Sequence, residues 1–271
     1  MSALTLKCKA SPPSAVDVSS LRPSMLAGKS RGEITRLPLP GWNQIFEVGE
    51  LFSLRGDDVT RVVIDGADGR FIRAGAGLDG GEVTIAGEAG DYVGEAMRGG
   101  SIRVRGNAGA FLGAGMVAGR IEVSGNAAAF AGSGRAGEMH GMRGGAIVIR
   151  GNAGDRAGDR MRRGLLLIEG DAGDYCASRM LAGTVVVLGH LGTLPGYLMR
   201  RGTLLLDRPG SALPPTFNPG GRQDLLAIRL LLESFSGYGR RFRDFASAGP
   251  FSRWLGDLGC DGKGEILIAR E

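Results

Sequence analysis

The chain has 271 residues, 43% of them apolar, and a formal net charge of +5 that comes from 29 Arg and 4 Lys against 28 acids. Aromatics are only 6% and the basic residues are spread along the chain, so the basic stripe with interleaved aromatics that marks a nucleic-acid binder is missing. No stretch reaches the ~20 apolar residues that span a bilayer, and no basic start leads into a long apolar run, so a cytoplasmic protein without a membrane partner is expected.

Residues 1–60 read as an N-terminal arm and cap. Residues 4–8 are strand-like, Pro12 and Pro13 break that strand, and residues 17–26 form a short helix or an irregular arm. The segment 42–54 leads into Arg61-Val-Val-Ile-Asp-Gly66-Ala-Asp-Gly69, an imperfect first repeat that closes what would otherwise be an exposed sheet edge.

From residue 61 to 207 one phrase recurs every nineteen residues: Gly81-Glu-Val-Thr-Ile-Ala-Gly87-Glu-Ala-Gly90, then Gly100-Ser-Ile-Arg-Val-Arg-Gly106-Asn-Ala-Gly109, and on through Gly119, Gly145, Gly164, Gly183 and Gly202. A fixed period means that each unit leans on its neighbours to bury its apolar face. Within a unit the aliphatic residues alternate with period two between glycines, which is the pattern of a short strand. Nineteen residues hold no strand plus crossover helix, so the expected fold is all-β, a parallel β-helix of about six to seven coils. Val83, Ile102, Ile121, Ile147, Leu166, Val185 and Leu204 should stack as its inward column, with a Met three residues before each closing Gly. Glycine suits the corners, where the backbone needs positive φ or room for the next coil.

One coil is longer. Gly119 to Gly145 spans 26 positions, which places a seven-residue insertion near 133–140. Insertions in a solenoid bulge from one face, either as a binding feature or as a tolerated loop.

Residues 208–271 change style. After Pro214-Pro215 and Asn218-Pro219-Gly220-Gly221, residues 225–235 form a helix that is apolar on most of its surface and must be covered. A second helical piece is expected around 249–258 and a final strand at 264–269. The outward strand position runs Thr84, Arg103, Glu122 and then Val148, Leu167, Val186, Leu205. Four adjacent aliphatics on an outer face need cover, from the chain's own 225–235 helix or from a partner interface on Val148, Leu167, Val186 and Leu205.

Chemistry is sparse. Cys8, Cys176 and Cys260 show no metal-ligand spacing, and His140 and His190 have no metal-like partner, so neither a metal site nor a catalytic residue is assigned. No helix follows the GxG and GxxG turns, which removes a nucleotide fingerprint. Asp155, Asp159, Asp171 and Asp174 sit at corners, where solvated turn residues are expected. The charged pattern tied to the repeat follows the Met: Arg98, Arg143, Arg162 and Arg200, with Arg163 and Arg201 beside them. Guanidinium groups stacked about 5 Å apart repel by roughly 1 kcal/mol even in water, so these six are the candidates for contact with an anionic ligand, solvated or subunit-facing arginines being the alternative.

The segment 81–119, together with Phe46-Glu-Val-Gly-Glu-Leu-Phe52, closely resembles the C subunit of formylmethanofuran dehydrogenase and its counterpart in the bacterial formyltransferase/hydrolase complex. The likeness runs over about residues 4–207, and the repeat motif is shared with the C-terminal β-helix domain of the glutamate synthase large subunit. The resemblance implies a right-handed β-helix acting as a non-catalytic structural subunit. Its implied partners are an amidohydrolase-like subunit, a formyltransferase subunit and a further subunit of the same complex. The implied reaction moves a formyl group from formyl-tetrahydromethanopterin to a methanofuran-type cofactor and hydrolyses it to formate. The glutamate-rich (polyglutamate) tail of such a cofactor is an anionic partner for the arginines, with nothing bound covalently. The C subunit of a formylmethanofuran dehydrogenase and a self-contained ligand-binding β-helix protein or enzyme are the other readings.

Overall fold

In the computed structural model, which describes the whole chain apart from Met1, Ser211, Leu225, Ala248, Glu271 and the side chain of Ala246, the alternating aliphatic segments are strands. The N-terminal stretch supplies β1 (Ala3–Cys8), β2 (Val16–Asp17), α1 (Pro23–Leu26), α2 (Arg31–Thr35), β3 (Pro38–Pro40), β4 (Ile45–Glu47), α3 (Val48–Leu51), β5 (Phe52–Arg55) and β6 (Asp58–Asp68). The repeats supply β7 (Phe71–Ile72), β8 (Glu82–Glu88), β9 (Ser101–Val104), β10 (Arg120–Val123), β11 (Arg143–Ile149), β12 (Arg163–Ile168), β13 (Thr184–Val187) and β14 (Arg201–Leu206). The C-terminal stretch adds β15 (Asn218–Gln223), α4 (Leu226–Glu233), a 3-10 turn (Ser234–Tyr238), α5 (Arg240–Ala246), β16 (Phe251–Gly256) and β17 (Lys263–Ile268).

Among the described residues thirteen strands form one sheet in the order β15-β16-β17-β14-β13-β12-β11-β10-β9-β8-β6-β1-β5. From β1 to β17 the pairing is parallel, and the inward column is in register: Val83 opposes Ile102, then Ile121, Ile147, Leu166, Val185 and Leu204 in turn. The final strand extends this column, Ile266 pairing with Leu204. The long repeat keeps the register, since Ile121 still opposes Ile147 across the insertion. A second line of parallel bridges runs Ala89, Ala108, Ala127, Ala153, Ala172, Leu191. All-β architecture with a large, mostly parallel sheet therefore follows from the period. Among the described residues of this sheet only the outermost pairs, β1 with β5 and β15 and β17 with β16, are antiparallel.

The corner between these two lines is where glycine is required. In each repeat except the long one, where only Phe130 and Gly132 do so, three alternate corner residues take left-handed backbone, for example Arg156, Gly158 and Arg160 at φ 58°, 76° and 55°. Their N–H groups bond in alternating directions: Arg156 to Asp174 O at 2.8 Å, Gly158 back to Ala131 O at 2.7 Å, Arg160 to Ser178 O at 3.0 Å. The middle residue faces the inward strand column. At Gly113 a Cβ would lie well inside contact distance of Ile147 Cδ1, whereas at Gly132, where the facing residue is Leu166, it would meet nothing nearer than Leu166 Cδ2 at 3.7 Å. Ala177, at the same position, faces no such isoleucine and keeps φ 59°. The repeated methionines press on the next repeat's glycine: a Cβ on Gly164 would stand 2.8 Å from Met142 Cε.

A polar column runs beside the second bridge line. Asn107 Oδ1 accepts from the Asn126 N–H at 2.7 Å, Asn126 from Asn152 at 2.8 Å, Asn152 from Asp171 at 2.9 Å and Asp171 from His190 at 2.7 Å. Asp155 and Asp174 do the same for the amides of Asp174 and Thr193, and the Thr193 amide holds the Asp174 carboxyl below the usual range. These corner acids are thus backbone caps that satisfy orphan amides.

Two expectations about the C-terminal region and the outer face need correction. Residues 251–256 are the strand β16, not a helix: Phe251, Trp254, Leu255 and Leu258 imitate helical spacing, but pairing with β17 decides, Trp254 opposing Ile266. The patch Val148, Leu167, Val186 and Leu205 is wholly buried by the chain itself, against Ile228, Leu232, Phe235, Phe242 and Phe245 of the C-terminal helices, so it presents no surface to a partner. The covering helix begins at Leu226 among the described residues; Leu225 lies outside them. Fully burying such aliphatics stabilises by about 1.5–3 kcal/mol each, which is why the chain supplies its own cover.

The facing-residue rule is testable. Both Gly113 (φ +63°) and Gly132 (φ +71°) carry the same left-handed penalty, so it cancels in a comparison. Gly113→Ala should cost about 1–3 kcal/mol more than Gly132→Ala, because only the former overpacks the strand column. Urea denaturation of the two variants measures the difference, and equal losses would show that the isoleucine does not dictate the glycine.

Candidate functional site

The corner turns its first and third left-handed residues outward, and there the insertion leaves the stack. Ser133 keeps its place, residues 134–140 depart, and Met142 re-enters by donating to Gly132 O at 2.8 Å. Behind this corner lies a column of buried polar side chains, Glu95, Ser133, Asp159 and Ser178, all at one repeat position. Asp159 departs from the expectation of a solvated corner acid: it is 4% exposed and accepts from Ser178 Oγ at 2.6 Å and from Arg179 Nε and Nη2 at 2.9 and 2.6 Å. Glu95 has Arg73 Nη2 and Arg135 Nη1 at 2.8 Å from its two oxygens, as ion pairs whose angles fall short of hydrogen bonds. Arg135 belongs to the insertion, and Arg73 also reaches Asp17 at 3.2 Å.

The insertion is tied at its other end as well. Arg160 Nη1 donates to Glu138 O at 2.6 Å, and the Gly141 amide donates to Arg160 O at 2.8 Å. The Arg135 hydrogen bond at 3.0 Å holds the Glu138 carboxyl below its ordinary range.

Between the insertion, the corner and the turn after β16 lies a cleft of about 600 Å³. Met139, Leu181 and Leu198 give it apolar surface and Arg160, Arg179 and Arg200 give it charge, while His140 comes from the insertion and Gly259 and Cys260 from the turn. A second cleft of about 370 Å³ shares His140, Leu181 and Arg200 and adds Arg162, Arg163, Ala182, Arg201 and Asp261. The two adjoin as one groove. Among the described residues, Arg162, Arg163, Arg200 and Arg201 have no acidic partner within 4 Å, whereas Arg179 is neutralised by Asp159. A concave surface with unneutralised guanidinium groups attracts anions, and the guanidinium fork matches a carboxylate. The Cys260 thiol donates to Met199 O and Asp257 O at 3.4 and 3.3 Å; burial pushes the Cys176 thiol, away in the core, up to about 12. Among the described residues no cluster of three or more His, Cys, Asp or Glu side chains could hold a metal ion, and no helix is long and apolar enough to cross a membrane.

The model of the GXGXG motif family matches residues 56–212, more than half of the chain. The chain belongs to the GXGXG-motif family. Within it, the chain is 30% identical over 99 residues to the C subunit of the tungsten-containing formylmethanofuran dehydrogenase 2 of Methanothermobacter thermautotrophicus, covering 35% of this chain and 37% of that one. It is 40% identical over 86 residues to the C subunit of the formyltransferase/hydrolase complex Fhc of Methylorubrum extorquens, covering 32% of each. These matches span only about a third of the curated relatives' length. A chain in the crystal structure of the formyltransferase/hydrolase complex FhcABCD from Methylorubrum extorquens, in complex with methylofuran, aligns over 98% of this chain and 100% of its own length, with 39% identity and a TM-score of 0.94. This GXGXG protein is thus a homologue of the C subunits of formylmethanofuran dehydrogenases and of the formyltransferase/hydrolase complex.

Of the six arginines singled out in the sequence, the GXGXG stack gathers four, Arg162, Arg163, Arg200 and Arg201, around one groove. Arg143 is exposed and opposes Arg163, not Arg162, in the strand register, because an irregularity in β11 shifts the pairing there. Arg98 is exposed and lines neither cleft. Arg160 and Arg179 escaped sequence reading, as did the turn residues Gly259, Cys260 and Asp261. The first two had a signal: each follows a buried polar residue, Asp159 or Ser178, at the third left-handed position.

Asp159 should matter for stability because its buried carboxylate has Arg179 and the Ser178 hydroxyl in place of water. Asp159→Asn should lower unfolding free energy by about 1.5–3 kcal/mol, the range for a hydrogen bond to a charged group. An unchanged urea midpoint at neutral pH would show that solvent already compensates Arg179.

Proposed function

We propose that this chain is the C subunit of a cytoplasmic formyltransferase/hydrolase-type complex. In that complex a formyl group passes from formyl-tetrahydromethanopterin to a methanofuran-type cofactor and is hydrolysed to formate. The observation that carries the reading is the full-length likeness to a chain of the methylofuran-bound complex. In this reading the stack is a right-handed parallel β-helix of about six to seven coils with residues 1–60 as cap, 61–207 as the repeat body and 208–271 as the covering tail. Catalysis belongs to other members of the assembly, an amidohydrolase-like chain and a formyltransferase chain, with one more subunit beside them. The groove of Arg162, Arg163, Arg200 and Arg201, with Arg143 beside it, contacts the anionic tail of the furan cofactor. Higher identity to the formyltransferase/hydrolase relative than to the dehydrogenase relative favours the former type of complex.

Two measurements test this. Native mass spectrometry after co-expression with the companion chains should show a hetero-oligomer, and a lone chain that turns over formyl substrates would overturn the subunit reading. In the assembled complex, replacing Arg162, Arg163, Arg200 and Arg201 by Gln should weaken cofactor binding. Four exposed ion pairs at about 0.5 kcal/mol each amount to roughly 2 kcal/mol, or about 30-fold. The loss should shrink at high salt. Unchanged affinity and salt dependence would leave these arginines as surface or subunit-facing residues.

A further inference from the structure

The insertion departs from every other repeat and forms one side of the groove, so what fixes it decides the groove's shape. Two anchors act on it from opposite directions along the stack. Arg135, its second residue, reaches back two repeats to Glu95, which is 2% exposed and lies among residues that are Ala, Ser or Tyr at the same position in most other repeats. Forward, Glu138 O accepts from Arg160 of the following repeat. Arg135 also pairs with Glu138 inside the insertion at 2.8 Å, so one guanidinium joins the buried acid to the segment's own middle. Beyond these anchors stand Met139, 68% exposed, and His140, the two insertion residues that line the cleft.

We propose that Arg135 and the buried Glu95 form a latch that holds residues 134–140 as a fixed wall of the arginine groove, and that the groove's grip on anionic chains depends on this latch although neither residue lines the main cleft. The second half rests on the reading that the groove takes an anionic chain. Burial gives Glu95 its hold: a carboxylate removed from water needs its cationic partners, and Arg73 alone leaves one oxygen facing the position that Arg135 occupies. A wall that is already ordered spares a ligand the entropy of ordering it, which is how a distant pair affects binding. Arg135 and Glu95 are therefore positioning residues.

Arg135→Met and Glu95→Gln in the full chain separate the two halves. Amide hydrogen exchange across 134–141, where the Glu138 and Gly141 amides are bonded, should quicken about tenfold in both variants, while exchange in β9 to β14 stays as in the parent. Binding of a decaglutamate peptide should weaken about three- to tenfold. Arg200→Gln serves as the contrasting variant, weakening the peptide without quickening exchange. Unaltered exchange in Arg135→Met, the milder change because Arg135 is exposed, would overturn the latch whatever the peptide does. Faster exchange with parental affinity, in a protein where Arg200→Gln weakens binding, would overturn the wall. A parent chain that ignores the peptide would sink the anionic-groove reading and with it the second half, while the exchange arm still decides the latch.

Discussion

The thinness of the core is the constraint on which everything else rests. Between the inward strand column and the corner that faces it there is room for one aliphatic side chain, so an isoleucine on the strand forces a glycine opposite, as Ile147 does to Gly113. Methionine tips fill the remaining gaps against the next glycine, Met142 Cε against Gly164 being one case. A residue slipped by one position would drive a branched side chain into backbone, so register is fixed by steric exclusion as much as by hydrogen bonding. That is how the stack absorbs seven extra residues and still pairs Ile121 with Ile147.

Outside the core the same corner does the opposite and throws side chains outward. Alternate left-handed residues point their chains away from the stack, and non-glycine residues occupy most of the outer positions despite a cost of about 1–2 kcal/mol each. Part of that cost is offset by contact along the column: Tyr92, Phe111 and Phe130 stack at 4.9 and 4.8 Å, and Arg156 lies over the Tyr175 ring at 4.7 Å. Arg160 and Arg179 hold the third outward position of the corner and line the groove. A strained backbone recurring along the stack thus gives surface side chains fixed directions.

The stacking itself was legible in the sequence because it depends on neighbours nineteen residues apart, and identical neighbours write themselves as a period. Val83 to Leu204 and the switch from Thr84, Arg103 and Glu122 to apolar outer positions were readable for that reason. The strand at 251–256 was not, since its fate depends on β17 and its apolar spacing suits a helix equally well. The need to cover Val148, Leu167, Val186 and Leu205 was visible, but whether the chain or a partner supplied the cover required seeing Phe235 and Phe242 come down on them. The groove was half visible. Its arginines carry the repeat's phase, whereas Met139 and Cys260 come from irregular segments 121 positions apart that only the closed structure brings together.

Both ends of the large sheet finish in antiparallel strands, β5 at one end and β15, with Pro219 and a register shift, at the other. Every strand between β1 and β17 offers an edge whose complement is a copy of itself, and a stack that simply stopped would be a template for the next molecule. An end strand running the wrong way, with a proline that cannot donate, refuses that template. The molecule's finite length is therefore a built property, and a chain cut back to β14 would present the geometry of a growing fibre end.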